Sequence, residues 1–151
     1  MLVVVATRVE IAVVVDRSKW PAHVTLAGNF RVDDAYADAV SSQCVSAAND
    51  AVAFDVSLGP TALFGFAQNI PVLLAEHPAF HRLHKSLSAG LKQLPGFTVV
   101  EPSFWGNGYH PHVTLGPAVS VGEGEALSIR WLTLVSLQEH TVQRVSAVQL
   151  R

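Results

Sequence analysis

Apolar residues follow two different spacings along the chain, and the two spacings predict a mixture of strands and helices. In many stretches valine, isoleucine and leucine run together or alternate with polar residues, which is typical of β-strands. We predict strands at residues 2–6, 10–15, 22–28, 51–58, 62–66, 69–76, 97–101, 111–116, 127–138 and 142–150. The Gly59-Pro60 pair predicts a turn between two of these strands.

Two other segments carry their apolar residues at helical spacing. The first opens at Asp33-Asp34, where acidic side chains suit a helix N-terminus, and is predicted to reach residue 48. One face of it holds Tyr36, Val40, Cys44 and Ala47. The second begins at Pro78, a residue tolerated in a first turn, and is ended by Pro95-Gly96. Its apolar positions are Phe80, Leu83, Leu87, Leu91 and Leu94.

The order of these elements predicts the fold class. Strand-rich segments alternate with the two helices, and no linker or low-complexity tract divides the chain. We therefore expect one α+β domain over residues 1–151, with two lobes that are each a mainly antiparallel sheet backed by a helix.

Composition and charge narrow the function classes. Half of the 151 residues are hydrophobic, so the chain can bury a core without disulfides. A net charge of −2 argues against holding long nucleic acid on a basic surface, but a small anionic ligand in a focused pocket is compatible with it. The apolar residues 2–15 are broken by Arg8 and Glu10, so no membrane span is predicted. A single cysteine, Cys44, fits a cytoplasmic protein.

A short internal repeat carries the candidate chemistry. His-Val-Thr-Leu occurs at residues 23–26 and again at residues 112–115, each time in a predicted strand and followed by glycine nearby. Side chains two apart in a strand share a face, so His23 lies beside Thr25, and His112 beside Thr114. Two such strands facing across a groove would place two imidazoles and two hydroxyls around one small volume.

That set of groups suits cleavage of a phosphodiester. One imidazole can remove a proton from the nucleophile while the other delivers a proton to the leaving oxygen, because imidazole titrates near neutral pH. The hydroxyls of Thr25 and Thr114 can hydrogen-bond the non-bridging oxygens, whose charge grows in the transition state. The scheme needs no metal and no cofactor, and the sequence does not say which histidine is the acid and which the base.

These motifs resemble those of the two-histidine (2H) phosphoesterase superfamily, which includes LigT-like 2′-5′ RNA ligases, 2′,3′-cyclic phosphodiesterases and phage enzymes that degrade cyclic-oligonucleotide immune signals. The middle section, with Phe-Gly, Asn-Ile-Pro-Val-Leu and a Phe-x-x-Leu-His helix in residues 63–94, is similar too. The resemblance implies a pseudo-twofold, bilobal domain with a central groove, and catalytic roles for His23, Thr25, His112 and Thr114. It implies a small nucleotide or short oligonucleotide as substrate, since Ala22 and Pro111 stand where some RNA-acting members have basic residues.

Aromatic residues near the motifs are candidates for stacking on a base. We choose Trp105 and Tyr109 because the Gly106-Asn107-Gly108 loop beside them is expected to lie at the surface, and we add Phe66 as a third candidate. Arg8, Arg17 and Lys19 flank the first motif and could attract phosphate, but we interpret them as solvated surface residues.

Two other interpretations stay open. His110 with His112, or the helical His77, His81 and His84, could be metal ligands, although no carboxylates or thiolates cluster with them in the sequence. We expect the helical histidines to lie on a polar face. A non-catalytic nucleotide-binding module is the other alternative, against which the intact motifs speak.

Overall fold

A computed structural model describes residues 1–151 and contains eleven strands and two α-helices. The strands are β1 (Leu2–Thr7), β2 (Val14–Asp16), β3 (Val24–Arg31), β4 (Phe54–Ser57), β5 (Thr61–Phe64), β6 (Ile70–Leu74), β7 (Thr98–Val99), β8 (His112–Thr114), β9 (Ala126–Ile129), β10 (Trp131–Leu137) and β11 (Thr141–Gln149). The helices are α1 (Ala37–Asn49) and α2 (Pro78–Leu91). The predicted α+β class is therefore confirmed.

The strands form three antiparallel sheets. The largest has six strands in the order β2-β11-β10-β1-β3-β7, the second has three in the order β5-β6-β8, and β4 pairs with β9. α1 contacts β10 and β11, α2 contacts β3, and the helices contact each other. Both helices therefore contact the six-stranded sheet, which is also larger than the three-stranded one. No helix is both long enough and apolar enough to cross a membrane.

Both faces of the six-stranded sheet are covered, which accounts for the unbroken apolar run in β1. Val4 and Ala6 point to the face that carries the helices and belong to the main hydrophobic core. Val3 and Val5 point to the opposite face, where they pack with a second apolar cluster that includes Ile11. The chain between β1 and β3 therefore crosses this second face and ends next to the first His-Val-Thr-Leu motif.

The helices keep their predicted apolar faces with small shifts at their ends. Val40, Cys44 and Ala47 are buried as predicted, but Tyr36 is 39% exposed, because a 3-10 turn at Asp34–Tyr36 precedes α1 and changes the phase. In α2 the ring of His77 caps the N-terminus by accepting the Ala79 N–H. α2 ends at Leu91, three residues before the predicted Leu94.

Several predicted strands, such as those at 51–58, 97–101 and 111–116, are longer than the observed ones, and two further differences have a structural cause. The strand predicted at residues 10–15 is reduced to β2, because the residues before it form the loop that crosses the sheet. The strand predicted at 127–138 is interrupted at Arg130, and its two parts, β9 and β10, pair in different sheets. The apolar residues continue from β9 into β10, so the sequence pattern does not show that the two strands pair in different sheets.

Candidate functional site

The first motif lies at the start of β3 with its polar side chains on the second face of the large sheet. Val24 and Leu26 are fully buried in the main core. Thr25 pairs with Val5 of β1, and paired residues on neighbouring strands point to the same face. His23 and Thr25 therefore share the face that the segment before β3 covers.

The second motif occupies β8, the edge of the three-stranded sheet. Val113 pairs with Leu73, and both are buried in the main core. His112 pairs with Leu74 and Thr114 with Val72, so both polar side chains stand on the opposite face of that sheet. β3 and β8 contact each other, which brings the two motifs together.

The two imidazoles are held by equivalent hydrogen bonds. The Nδ1 of His23 lies 2.8 Å from the carbonyl oxygen of Pro21, and the Nδ1 of His112 lies 2.7 Å from the carbonyl oxygen of His110. A carbonyl only accepts, so each Nδ1 carries the proton and donates it. In the neutral ring, Nε2 is then the unprotonated nitrogen, and it is free to accept a proton in both motifs.

Each imidazole also packs against an aromatic ring. Trp20 stacks on His23 with ring centroids 3.9 Å apart and an angle of 19° between the planes. Phe64 meets His112 edge-on at 4.6 Å. Trp20 was not predicted as a site residue, although it stands only three residues before His23. These rings limit rotation of the imidazoles and remove water from one side of each.

Burial makes both histidines weaker bases than free imidazole. Desolvation lowers the pKa of His23 from 6.5 to about 4, opposed by the hydrogen bond to Pro21 and helped by the positive charge that His112 can carry. Desolvation also lowers the pKa of His112, opposed by the hydrogen bond to His110. Both rings are therefore neutral in the empty site at neutral pH.

One cavity joins residues of both motifs. It has a volume of about 300 Å³ and is lined by His23 and Thr114, by Arg17, Ser18 and Trp20, and by residues 115–119. The guanidinium of Arg17 is exposed and donates to the Gln138 carbonyl, 3.0 Å away. Arg17, which flanks the first motif in the sequence, thus borders the cavity. A second cavity of about 350 Å³, between the end of α1 and the start of α2, contains neither motif.

The Gly106-Asn107-Gly108 loop lies at the surface as predicted, but the candidate rings beside it, Trp105 and Tyr109, are buried. They are only 9% and 7% exposed, because their rings turn inward beneath β3 while the glycine loop between them stays outside. The Trp105 indole donates to the Gly28 carbonyl at 3.1 Å, and the Tyr109 hydroxyl donates to the Thr25 carbonyl at 2.9 Å. Both rings support the first motif from below instead of offering a face to a base.

Phe66 has the opposite environment. It lies in the turn between β5 and β6 and is fully exposed. The neighbouring Phe64 is the residue of this hairpin that contacts His112. Phe66 therefore lies two residues beyond the ring that contacts the second motif, and its own ring faces solvent.

The three histidines of α2 differ in environment. His77 caps the helix, and the exposed His81 pairs with Glu76 at 2.9 Å. His84 is buried, contrary to the predicted polar face, and bonds to two backbone groups. No three or more histidine, cysteine, aspartate or glutamate side chains come together in a group that could hold a metal ion.

Comparison with known families gives one match that spans most of the chain. The model of the 2′-5′ RNA ligase superfamily matches residues 13–149, a range that includes both motifs. No curated protein matches the chain.

Solved structures with the same fold have low sequence identity. TT0787 of Thermus thermophilus has a TM-score of 0.68 and 16% identity, and the match covers 100% of this chain and 98% of that one. E. coli LigT complexed with 3′-AMP has a TM-score of 0.60 and 18% identity over 85% of this chain and 76% of LigT. The same enzyme complexed with phosphate has a TM-score of 0.57 and 17% identity, with coverage of 85% and 75%. At these identities the comparison shows the fold.

Proposed function

Because the chain belongs to the 2′-5′ RNA ligase superfamily of two-histidine phosphoesterases, we propose that it is a metal-independent phosphodiesterase that cleaves a phosphodiester in a short RNA-like substrate. The substrates that we propose are a 2′,3′-cyclic phosphate, a 2′-5′-linked oligonucleotide or a small cyclic oligonucleotide. The observation that carries the proposal is the matched pair of imidazoles in neighbouring strands, each with Nδ1 bound to a carbonyl and Nε2 free.

The proposed reaction uses both Nε2 atoms. One accepts the proton of the attacking oxygen, either water or a ribose 2′-hydroxyl, as the new P–O bond forms. The other, protonated, gives its proton to the leaving oxygen as the old P–O bond breaks. Thr25 and Thr114 donate hydrogen bonds to the non-bridging oxygens. In the reverse direction, which is ligation, the acid and the base exchange roles.

Substrate binding lets one imidazole take up from the solvent the proton that this scheme needs. Both imidazoles are weak bases in the empty site, because burial lowers both pKa values. A bound phosphodiester is an anion, and a nearby opposite charge favours the protonated form of a histidine. We propose that the anion raises both pKa values, so that one ring is protonated and the other is neutral at the moment of reaction.

The groups around the motifs suit a small substrate. The cavity of about 300 Å³ accommodates one phosphate and part of the nucleoside attached to it. Arg17 can pair with a second negative charge of the substrate. Phe66 offers an exposed ring on which a base can stack. The complexes of E. coli LigT with 3′-AMP and with phosphate support a ligand of this class. The net charge of −2 disfavours long nucleic acid, and a single buried cysteine fits the cytoplasmic location that we propose.

Turnover of matched substrates tests the proposal. The panel is a 2′,3′-cyclic mononucleotide, a 2′-5′-linked diribonucleotide, a cyclic dinucleotide, the all-deoxy analogues and a long single-stranded DNA, each with and without EDTA. We expect cleavage of at least one short ribo substrate, undiminished by EDTA because no step uses a Lewis acid. Binding without turnover would indicate a nucleotide-binding module, and loss of activity on chelation that a divalent cation restores would indicate a metallohydrolase.

A further inference from the structure

Buried His84 connects the two motifs through the backbone. Its Nδ1 lies 2.7 Å from the carbonyl oxygen of Leu26, the last residue of the first motif. Its Nε2 lies 3.0 Å from the amide nitrogen of Gly106, in the loop that leads to the second motif. One neutral imidazole, protonated on Nδ1, satisfies both partners, because a carbonyl needs a donor and an amide needs an acceptor.

Two aromatic residues of the same loop strengthen this connection. Tyr109 stacks on His84 with centroids 4.0 Å apart and planes 3° from parallel, and its hydroxyl donates to the Thr25 carbonyl. Trp105 meets His84 edge-on at 5.4 Å and donates to the Gly28 carbonyl. Consecutive carbonyls of β3, at Thr25 and Leu26, are thus held by Tyr109 and His84, whose rings lie against each other.

The loop geometry depends on its glycines. Gly106 has φ 63°, a left-handed conformation that favours glycine, and in this conformation its amide meets His84. A side chain at Gly108 would overlap the Ser103 carbonyl oxygen. The two glycines therefore fix the shape of the loop whose Gly106 N–H donates to His84.

We propose that His84 is a positioning residue that holds the two histidine motifs in register, so that both imidazoles reach the same phosphate. The proposal rests on the proposed function for the identity of the reaction. Desolvation lowers the pKa of His84, which keeps the ring in the neutral form that both hydrogen bonds need. His84 touches no reacting atom in this account and acts through the backbone of β3 and of the loop. A misplacement of about 1 Å between reacting groups can cost roughly 10²-fold in rate.

Three variants separate positioning from stability. His84→Phe keeps a ring for Tyr109 but loses both hydrogen bonds, whereas His84→Gln keeps one donor and one acceptor. Lys85→Gln is the matched control, because Lys85 is the next residue on the same helix and is exposed. Three measurements are made on each variant below its melting temperature. They are steady-state kinetics on the preferred short ribo substrate, binding of inorganic phosphate by calorimetry, and hydrogen exchange of the Gly106 amide.

We expect His84→Phe to lower kcat by about 10- to 100-fold with KM changed by less than about threefold, since alignment matters most in the transition state. Gly106 should exchange faster and phosphate should bind more weakly. His84→Gln should restore most of kcat and of the protection, and Lys85→Gln should behave as wild type. Tyr109→Phe, which loses only the bond to Thr25, replaces His84→Phe if that variant does not fold, and should lower kcat by a smaller factor.

An equal decrease of kcat in His84→Phe and His84→Gln would overturn the proposal. A folded His84→Phe protein with wild-type kcat and a lower melting temperature would overturn it too. If the wild-type protein turns over none of the substrates, the proposed function fails, but Gly106 exchange and phosphate binding still decide the role of His84. Unchanged exchange and unchanged phosphate binding in His84→Phe would then refute it.

Discussion

At the scale of single residues, each motif is a self-contained local unit. The imidazole is oriented by a carbonyl two positions earlier, and the threonine two positions later stands on the same face of the strand. Both features follow from short stretches of chain, which is why the four candidate residues could be chosen from the sequence. The aromatic contacts add to the burial that lowers both pKa values. Trp20 stands three residues before His23, whereas Phe64 comes to His112 from a distant part of the chain.

Removal of either imidazole should abolish most of the activity. We expect His23→Ala and His112→Ala each to lower kcat by about 10² to 10⁴-fold, because each removes one proton transfer. Thr25→Val and Thr114→Val should cost less, about 10-fold, because each removes one hydrogen bond to a charged oxygen. His110→Ala is the matched control, since its carbonyl and not its side chain holds His112. Wild-type kcat in His112→Ala would refute the acid–base pair.

The lowered pKa values predict an acidic optimum for the free enzyme. The profile of kcat/KM reports the free protein. Its acidic limb should lie near the pKa of His23, about 4, and its basic limb at the pKa of His112, which lies below 6.5. kcat/KM should therefore fall above pH 6.5, whereas the optimum of kcat should lie at higher pH, because bound substrate raises both pKa values. A kcat/KM that increases up to pH 8 would contradict this account.

At the scale of elements, the sequence predicts what depends on local periodicity and misses what depends on distant partners. The buried faces of both helices follow from the spacing of their apolar residues. The inward turn of Trp105 and Tyr109 does not, because it depends on carbonyls of β3 far away in the chain. Trp20 and Arg17 reach the site only because the segment before β3 crosses the sheet, and no periodic pattern describes such a crossing.

The β5–β6 hairpin offers a test of base stacking that does not disturb the fold. Phe66→Ala should raise KM by roughly 5- to 100-fold for substrates with a base on that side, since stacking contributes about 1–3 kcal/mol per base. kcat and the melting temperature should stay unchanged, because the ring is fully exposed. The matched control is Leu63→Ala, an exposed apolar residue of the same hairpin. An equal change of KM in both variants would show that Phe66 has no specific role.

At the scale of the whole molecule, the functional site depends on groups buried between elements. His23, His84 and His112 are all weaker bases in the folded chain than in the unfolded one, because burial disfavours their charged forms. This burial needs the whole fold, because the two larger sheets and both helices together exclude water from the three rings. The stability of the fold and the chemistry of the site are therefore linked through protons.

This linkage predicts that the fold is sensitive to mild acid. Below pH 6.5 the unfolded chain binds protons that the folded chain does not, so the free energy of unfolding should decrease as the pH falls from 6.5 toward 4. Thermal unfolding at pH 7.5 and at pH 5 measures the decrease. In His23→Gln and in His84→Gln the decrease should be smaller, whereas His140→Gln, which changes an exposed histidine, should leave it as in wild type. An equal decrease in all four proteins would contradict the prediction.

The central claim is that the two motifs form one site for one phosphate, and the most direct test follows both imidazoles during a titration. Inorganic phosphate is added to the ¹⁵N-labelled protein, and the ring signals of His23 and His112 are recorded by NMR, with His140 as an internal control. We expect both signals to move toward the protonated form with one common dissociation constant, while that of His140 stays in place. Movement of only one of the two signals, or two different dissociation constants, would contradict it.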